Sequence, residues 1–288
     1  MQEFALDTPF GRLTGLRTGK AGAPRVLALH GWLDNAASFL PLSAHLRDIE
    51  LVALDMPGHG ASAHLPAAAD YLLLAFVRAS FAAADALGWE RFQLLGHSLG
   101  GVIASLMTAA CPQRIEKLLT IEALGALTES EERTAQRLRD AFSAYALLSR
   151  KQLRVFPDIA SAMRARLQAG TGALGEASAR LLVERGLAPV QSEQGTGGFT
   201  WRSDPRLTMP TAVRMTEAQS RNLIASIECP TRVIYADPAQ TYFPEAPRRE
   251  RVSLLPRGEL IVLPGSHHLH MDDAPAVAAA IGDFFLHR

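Results

Sequence analysis

Short apolar runs alternate with longer amphipathic stretches along most of this chain. Residues 2–18 read as a β-hairpin that turns at Thr8-Pro9-Phe10-Gly11. Arg25–Leu29 (RVLAL) and Ile49–Asp55 (IELVALD) are nearly unbroken apolar runs, the mark of strands buried on both faces. Phe92–Leu95, Ile115–Ile121 (IEKLLTI), Thr231–Ala236 (TRVIYA) and Leu260–Leu263 (LIVL) repeat that pattern. Between them, Ala36–Leu46, Asp70–Leu87 (closed by Gly88), Val102–Cys111 and Ala274–Leu286 read as helices. Strands that alternate with helices predict an α/β fold, with a mostly parallel sheet covered on both faces.

The rhythm breaks between about Gly125 and Ile227. There Glu129–Arg139, Ile159–Gln168 and Ala177–Arg185 carry charge at helical spacing, Gly195-Thr196-Gly197-Gly198 marks a loop, and no run reads as a buried strand. The expected organisation is a core formed by 1–124 and 228–288. A helical insertion over 125–227 interrupts it and lies across the C-terminal edge of the sheet.

Composition narrows the function classes. A chain of 288 residues, 48% hydrophobic and 20% charged, can bury a sizeable core. Its 29 basic and 29 acidic side chains cancel, which gives no electrostatic footprint for nucleic acid. Cys111 and Cys229 have no metal-ligand spacing and read as small buried residues in a reducing compartment. Met1–Arg12 lacks the basic start and apolar centre of a signal peptide, and no run reaches transmembrane length. A cytoplasmic protein without membrane insertion is expected, working on a small-molecule substrate as a monomer or homodimer. No Walker loop and no strand-linked G-x-G-x-x-G is present, and the histidines bring no Cys-x-x-Cys or His-x-Glu with them, so neither a cofactor nor a metal is expected.

Candidate chemistry centres on Gly96-His97-Ser98-Leu99-Gly100-Gly101, which follows a strand and precedes an apolar, small-residue helix. This is G-x-S-x-G in the setting of a nucleophile elbow, where a sharp turn exposes a serine hydroxyl. Such a serine needs a base, and the base an orienting anion. Three histidines compete just after the last strand, in Ser266-His267-His268-Leu269-His270. Two backbone N–H groups should hold the oxyanion: Leu99, after the serine, and Trp32, from His30-Gly31-Trp32. The Trp32 indole would wall the acyl pocket, and His30 and His97 read as structural hydrogen bonders.

His30–Asn35 (HGWLDN), Asp55–Ser62 (DMPGHGAS), Gly96–Gly101 (GHSLGG), Ser203–Leu207 (SDPRL) and His267–Met271 (HHLHM) together resemble the serine hydrolase-like branch of the α/β-hydrolase superfamily. The resemblance implies an eight-stranded sheet, a helical lid, Ser98 as nucleophile and His267 as base, with His268 and His270 packing or lining the pocket. In that layout the acid usually follows the penultimate strand, where this chain has Ala239, with Asp237 two residues early. The other slot used in related folds is the end of the strand after the elbow helix, which here is Glu122. Glu122 is preferred and Asp237 is the alternative. The expected reaction is hydrolysis of a small or medium carboxylic ester or thioester through an acyl-enzyme. Two rivals stay open. One is a carbon–carbon bond hydrolase or lyase, which would need Arg154, Arg164, Arg166, Arg202 or Arg206 to face substrate carboxylates. The other is a non-catalytic hydrolase-fold receptor.

Overall fold

The chain opens with β1 (Gln2–Thr8) and β2 (Gly11–Thr18), paired antiparallel from Gln2↔Arg17 to Thr8↔Gly11, so the hairpin turns where the sequence places it. A computed structural model describes residues 1–20, 22–148, 153–169, 174–191 and 197–286. After the hairpin come β3 (Arg25–Leu29), α1 (Leu40–Ser43), β4 (Glu50–Leu54), α2 (Leu73–Ala86), β5 (Phe92–His97), α3 (Leu99–Ala110) and β6 (Ile115–Ile121). Ala36–Leu46 is not one helix. Asn35 caps a 3-10 turn over Ala36–Phe39, and α1 restarts with Pro41 in its first turn. Pro41 has no N–H to continue the ladder, which confines it to a helix start.

The stretch expected to be helical is mixed. It holds α4 (Thr134–Leu148), β7 (Val155–Phe156), α5 (Ile159–Ala169), α6 (Glu176–Gly186), β8 (Leu187–Gln191), β9 (Gly197–Trp201) and α7 (Glu217–Ala225). The three strands form an antiparallel sheet of order β7-β9-β8. Most of their positions are partly or fully exposed, so they lack the apolar run that marks a buried strand. Their packing face is small: Phe156, Ala162, Val183 and Leu187 are buried together, with Phe199 and Trp201 against them. Gly195 and Thr196 of the glycine-rich loop lie outside the described residues, and Gly197 and Gly198 open β9.

The chain ends with β10 (Thr231–Asp237), α8 (Glu245–Val252), β11 (Gly258–Pro264), α9 (Leu269–Asp272) and α10 (Ala274–Ile281). The last helix stops short of Leu286 because Gly282 takes a φ of 51°. The main sheet has eight strands in the order β1-β2-β4-β3-β5-β6-β10-β11, parallel from β4 to β11. Alternate side chains feed two cores. Leu27, Leu29, Val52 and Leu54 pack with Phe76 of α2 and Ile103 of α3, whereas Val26, Ala28, Leu51 and Ala53 pack with Leu42 of α1 and Val277 of α10. This is the α/β-hydrolase fold, and it gathers the C-terminal ends of β3, β5, β6, β10 and β11 along one edge. Among the described residues no helix is long and apolar enough to cross a membrane.

Candidate active site

Ser98 is the hinge between β5 and α3, with φ 51° and ψ −116°. A non-glycine residue at positive φ costs about 1–2 kcal/mol, and two close approaches hold it there. A Cβ on Gly100 would lie 1.8 Å from the Leu29 carbonyl oxygen, and one on Gly96 would lie 2.5 Å from that of Gly100. The Ser98 N–H donates to the Ile121 carbonyl at 2.9 Å, which ties the elbow to the end of β6. Ser98 and Leu99 are both half-buried.

The next residue on β6's path is Glu122, also at positive φ (60°), with its N–H donating to Ile234 O at 2.9 Å. Its side chain is fully buried and turns toward the loop after β11. There Glu122 Oε2 lies 3.1 Å from His267 Nδ1. Oε1 accepts the Ala236 N–H at 2.6 Å and faces Arg248 Nη1 at 3.3 Å. Asp237 is exposed at the end of β10, and its backbone carbonyl, accepting Gly265 N–H at 3.1 Å, shapes the loop that carries His267. The structure therefore brings Glu122 to His267 through its side chain, and Asp237 near it only through the backbone.

His97 fastens that loop to the elbow. Its Nε2 is 2.8 Å from the His267 carbonyl oxygen. A carbonyl can only accept, so Nε2 carries the proton and Nδ1 is a bare lone pair without a hydrogen-bond partner. Burial, with the neighbouring histidines, holds His97 well below the usual histidine pKa and keeps it neutral. His270, its ring 4.0 Å from that of His97, is depressed in the same way and contacts Ser38 Oγ at 2.7 Å. His268 instead reaches Asp34 Oδ2 at 3.1 Å, and Asp34 Oδ1 accepts from Arg166 Nη2 of α5 at 2.5 Å. Burial opposes the Asp34 charge, yet His268 and Arg166 outweigh it and hold that carboxyl well below the usual range.

Asp34, His97 and His268 bring donor atoms within 4.8 Å of one another, the arrangement among the described residues that comes nearest to a metal site. Arg166 already matches the Asp34 charge, so a divalent cation there would face a guanidinium across one carboxylate. The donor set therefore suits an ion pair better than a metal.

The loop after β3 is set by His30. Its Nε2 accepts the Met56 N–H at 3.1 Å, which leaves Nδ1 to donate to the Gly31 carbonyl at 2.7 Å. The same carbonyl accepts Asp34 N–H at 3.1 Å. A trans peptide points its N–H opposite to its C=O, so pinning Gly31 O fixes the direction of the Trp32 N–H. The Trp32 indole is 52% exposed and donates to Leu207 O at 2.9 Å. Leu33 follows at φ 59°. Further ties run from this side to the 125–227 stretch. Asn35 Nδ2 donates to Leu182 O of α6 at 2.8 Å, and Arg185 of α6 grips the buried Asp55 at 2.6 Å.

In the sequence Asp34 stands out only within a family-like segment, Arg166 is one of the arginines that the rival carbon–carbon hydrolase would need, and nothing singles out Arg248. Arg248 and Arg251 sit at i and i+3 in EAPRRERV and are both buried. A helix so charged reads as a solvated face, and no local signal marks the inward pair.

Residues 26–281 match a family described as the alpha/beta hydrolase family. The chain is 30% identical to serine hydrolase-like protein 2 of Homo sapiens over 303 residues, covering 99% of this chain and 94% of that one. It is 27% identical to a serine hydrolase-like protein of Danio rerio, covering 98% and 87%. Among solved structures it is similar to a hypothetical protein of Pseudomonas aeruginosa PAO1, with 39% identity, TM-score 0.92 and full coverage of both chains. It is also similar to the thioesterase domain from the curacin biosynthetic pathway, with 26% identity, TM-score 0.82 and 98% of each chain covered. On these matches and this fold, the chain belongs to the α/β-hydrolase family, in its serine hydrolase-like branch.

Proposed function

We propose that this chain is a serine hydrolase that cleaves a small or medium carboxylic ester or thioester through an acyl-enzyme. The observation that carries the reading is the His267 Nδ1 contact with Glu122 Oε2 at 3.1 Å, taken with a serine on a positive-φ elbow. In this mechanism His267 Nε2 takes the Ser98 hydroxyl proton as Oγ attacks the carbonyl carbon. The oxyanion is held by the N–H groups of Leu99 and Trp32, and Glu122 steadies the imidazolium through Nδ1–H. The leaving alcohol or thiol takes the proton from His267. A water then gives a proton to His267 and its hydroxyl to the acyl carbon; the bond from that carbon to Oγ breaks, Oγ takes the proton back from His267, and the acid leaves.

Residues 125–227 act as the lid that sets substrate size and keeps water out. Their fastenings through Asp34, Asn35 and Asp55 support that role, because they join the insertion to the oxyanion side of the site. The thioesterase relative supports including thioesters in the substrate class. Several arginines that a carbon–carbon hydrolase would turn on its substrate are engaged inside the protein: Arg166 with Asp34, Arg206 with Asp204, and Arg202 with the Leu187 carbonyl. This favours the ester reading.

The test is covalent labelling by a fluorophosphonate probe, wild type beside Ser98→Ala, followed by an ester and thioester panel of varied acyl length. Labelling should vanish in the variant and turnover should fall by several powers of ten with the fold retained. Equal labelling of both proteins would place the reactive group elsewhere, and no labelling of folded wild type would favour a non-catalytic receptor.

A further inference from the structure

Glu122 presents an uneven set of contacts. One oxygen faces the imidazole, while the other faces two donors from a different part of the chain. We propose that Arg248 is a positioning residue for catalysis, which from α8 fixes the Glu122 carboxylate so that Oε2 faces His267. The proposal rests on the Ser98-His267-Glu122 reading above.

Arg248 is held in place without help from Glu122. Its Nε donates to Phe243 O at 2.8 Å and its Nη1 to Ala236 O at 3.1 Å, and the guanidinium lies 4.5 Å from the Tyr235 ring centroid. Nη1 is thus a pre-placed donor beside Oε1, at 3.3 Å. Rotation of about a quarter turn around the terminal carboxylate bond would carry both oxygens out of line with the imidazole. Two donors on the same oxygen, Arg248 Nη1 and Ala236 N–H, set that torsion and leave Oε2 to the imidazole. The guanidinium also matches the charge of a carboxylate that has no access to water.

The segment after β10 is the usual source of the acid itself. Here it carries Ala239 at that position and, on α8, supplies a cation to the back of an acid that comes from β6. A cavity of about 190 Å³ adjoins this segment, lined by Tyr235, Ala236, Ala239 and Arg248 among others. The titratable groups packed around Glu122 are His267, Tyr235 of β10, Tyr242 from the loop before α8, and Arg248, with Arg251 one turn further along α8. Burial pushes both tyrosines up, so they stay neutral through the working range. Arg251 is spent on Glu217 and on the carbonyls of Leu124 and Ala126.

The experiment compares wild type, Arg248→Ala, Arg248→Lys and Glu122→Gln in the full-length chain. It measures p-nitrophenyl acetate hydrolysis and the rate of fluorophosphonate labelling against pH, with folding checked by circular dichroism. In Arg248→Ala, kcat should fall about tenfold to a hundredfold, the size seen when a group that orients an active-site ligand is lost. KM should hold near wild type, and the acid limb of kcat/KM should move to higher pH, since removal of a nearby cation favours protonation of the imidazole and carboxylate pair. Truncation joins the side-chain space to the cavity, so methylguanidinium should restore part of the rate saturably, while tetramethylammonium at equal ionic strength should not. Arg248→Lys, which keeps the charge, covers the case in which the alanine variant fails to fold: it should lose rate with the pH profile unmoved.

A folded Arg248→Ala with wild-type kcat and pH profile overturns the proposal, as does a rate loss with no pH shift and no guanidinium rescue. If Glu122→Gln is as active as wild type, the triad reading itself falls. If Glu122→Gln is crippled and Arg248→Ala is not, only the positioning role falls.

Discussion

Two buried carboxylates, Glu122 and Asp34, each bridge an arginine and one of two consecutive histidines, yet one follows β6 and the other lies in the loop after β3. Glu122 joins Arg248 to His267 through the ring's Nδ1, whereas Asp34 joins Arg166 to His268 through Nε2. Held by Nδ1, His267 keeps Nε2 for a serine or a leaving group; held by Nε2, His268 has given up its outer nitrogen. The arginines differ in origin too, because Arg248 belongs to core helix α8 and Arg166 to α5 of the inserted stretch. Residue types alone do not separate a charge-relay acid from a fastening. The ring nitrogen engaged, and the element that supplies the cation, do.

The comparison breaks most sharply at the carboxylates. Glu122→Gln is expected to lower turnover about a thousandfold to ten-thousandfold, the scale of losing a triad acid. Asp34→Asn should keep at least about a tenth of the wild-type rate per folded molecule. Equal losses in ester hydrolysis would put both carboxylates in the chemistry.

Stability should show the reverse order. Asp34→Asn strips a buried partner from Arg166 and is expected to cost about 3 kcal/mol, read from urea unfolding. Because the Asp34 pKa is depressed in the folded protein, its contribution is present above the ordinary carboxylate range and is lost as pH falls through the depressed value. The gap between wild type and variant should therefore close as pH falls below about 4. A gap that stays open in acid would mean that Asp34 acts by packing alone.

The histidines without a carboxylate bridge sharpen the contrast. Burial lowers His30, His97 and His270, and it lowers His59 to about 3. Below about pH 6.5 the unfolded chain binds protons at these sites and the native chain does not, so stability falls with acid by about 1.4 kcal/mol per pH unit for each histidine. His59→Asn keeps a donor for the Pro57 carbonyl and should remove one proton from that slope, as measured by unfolding at pH 6.5 and 5.5. An unchanged slope would mean that His59 is protonated in the native state. The smallest effect belongs to Asp237→Asn, expected to change turnover by less than about twofold, within the range of an exposed substitution. A loss near that of Glu122→Gln would return the acid to the loop after β10.

The parallel core was legible because strands buried on both faces must be apolar throughout, as RVLAL and IELVALD are. The elbow was legible because a strand, Gly96, Ser98 and Gly100 appear in register. From sequence Glu122 is preferred over Asp237 only because it ends the strand after the elbow helix, which says nothing of where its carboxylate points. Its orientation depends on Ala236 and Arg248, and Arg248 lies 126 residues further along the chain. The strands β7–β9 escaped notice because their exposed positions leave no apolar run. Arg248 escaped because its burial is paid for by carbonyls and an aromatic ring on other elements, which a charged helix does not advertise.

Leu33, Ser98 and Glu122 are the described non-glycine residues with positive φ, at 59°, 51° and 60°. One lies in the candidate oxyanion loop, one is the candidate nucleophile and one the candidate acid. Glycine would relax the backbone at each of these positions. A campaign that selected this chain for heat resistance alone would be drawn to those substitutions, and under the proposed mechanism it would delete the chemistry at two of them while improving the scaffold. Thermal tolerance and turnover are thus opposed at named codons, and any directed evolution of this protein has to screen for both in the same round.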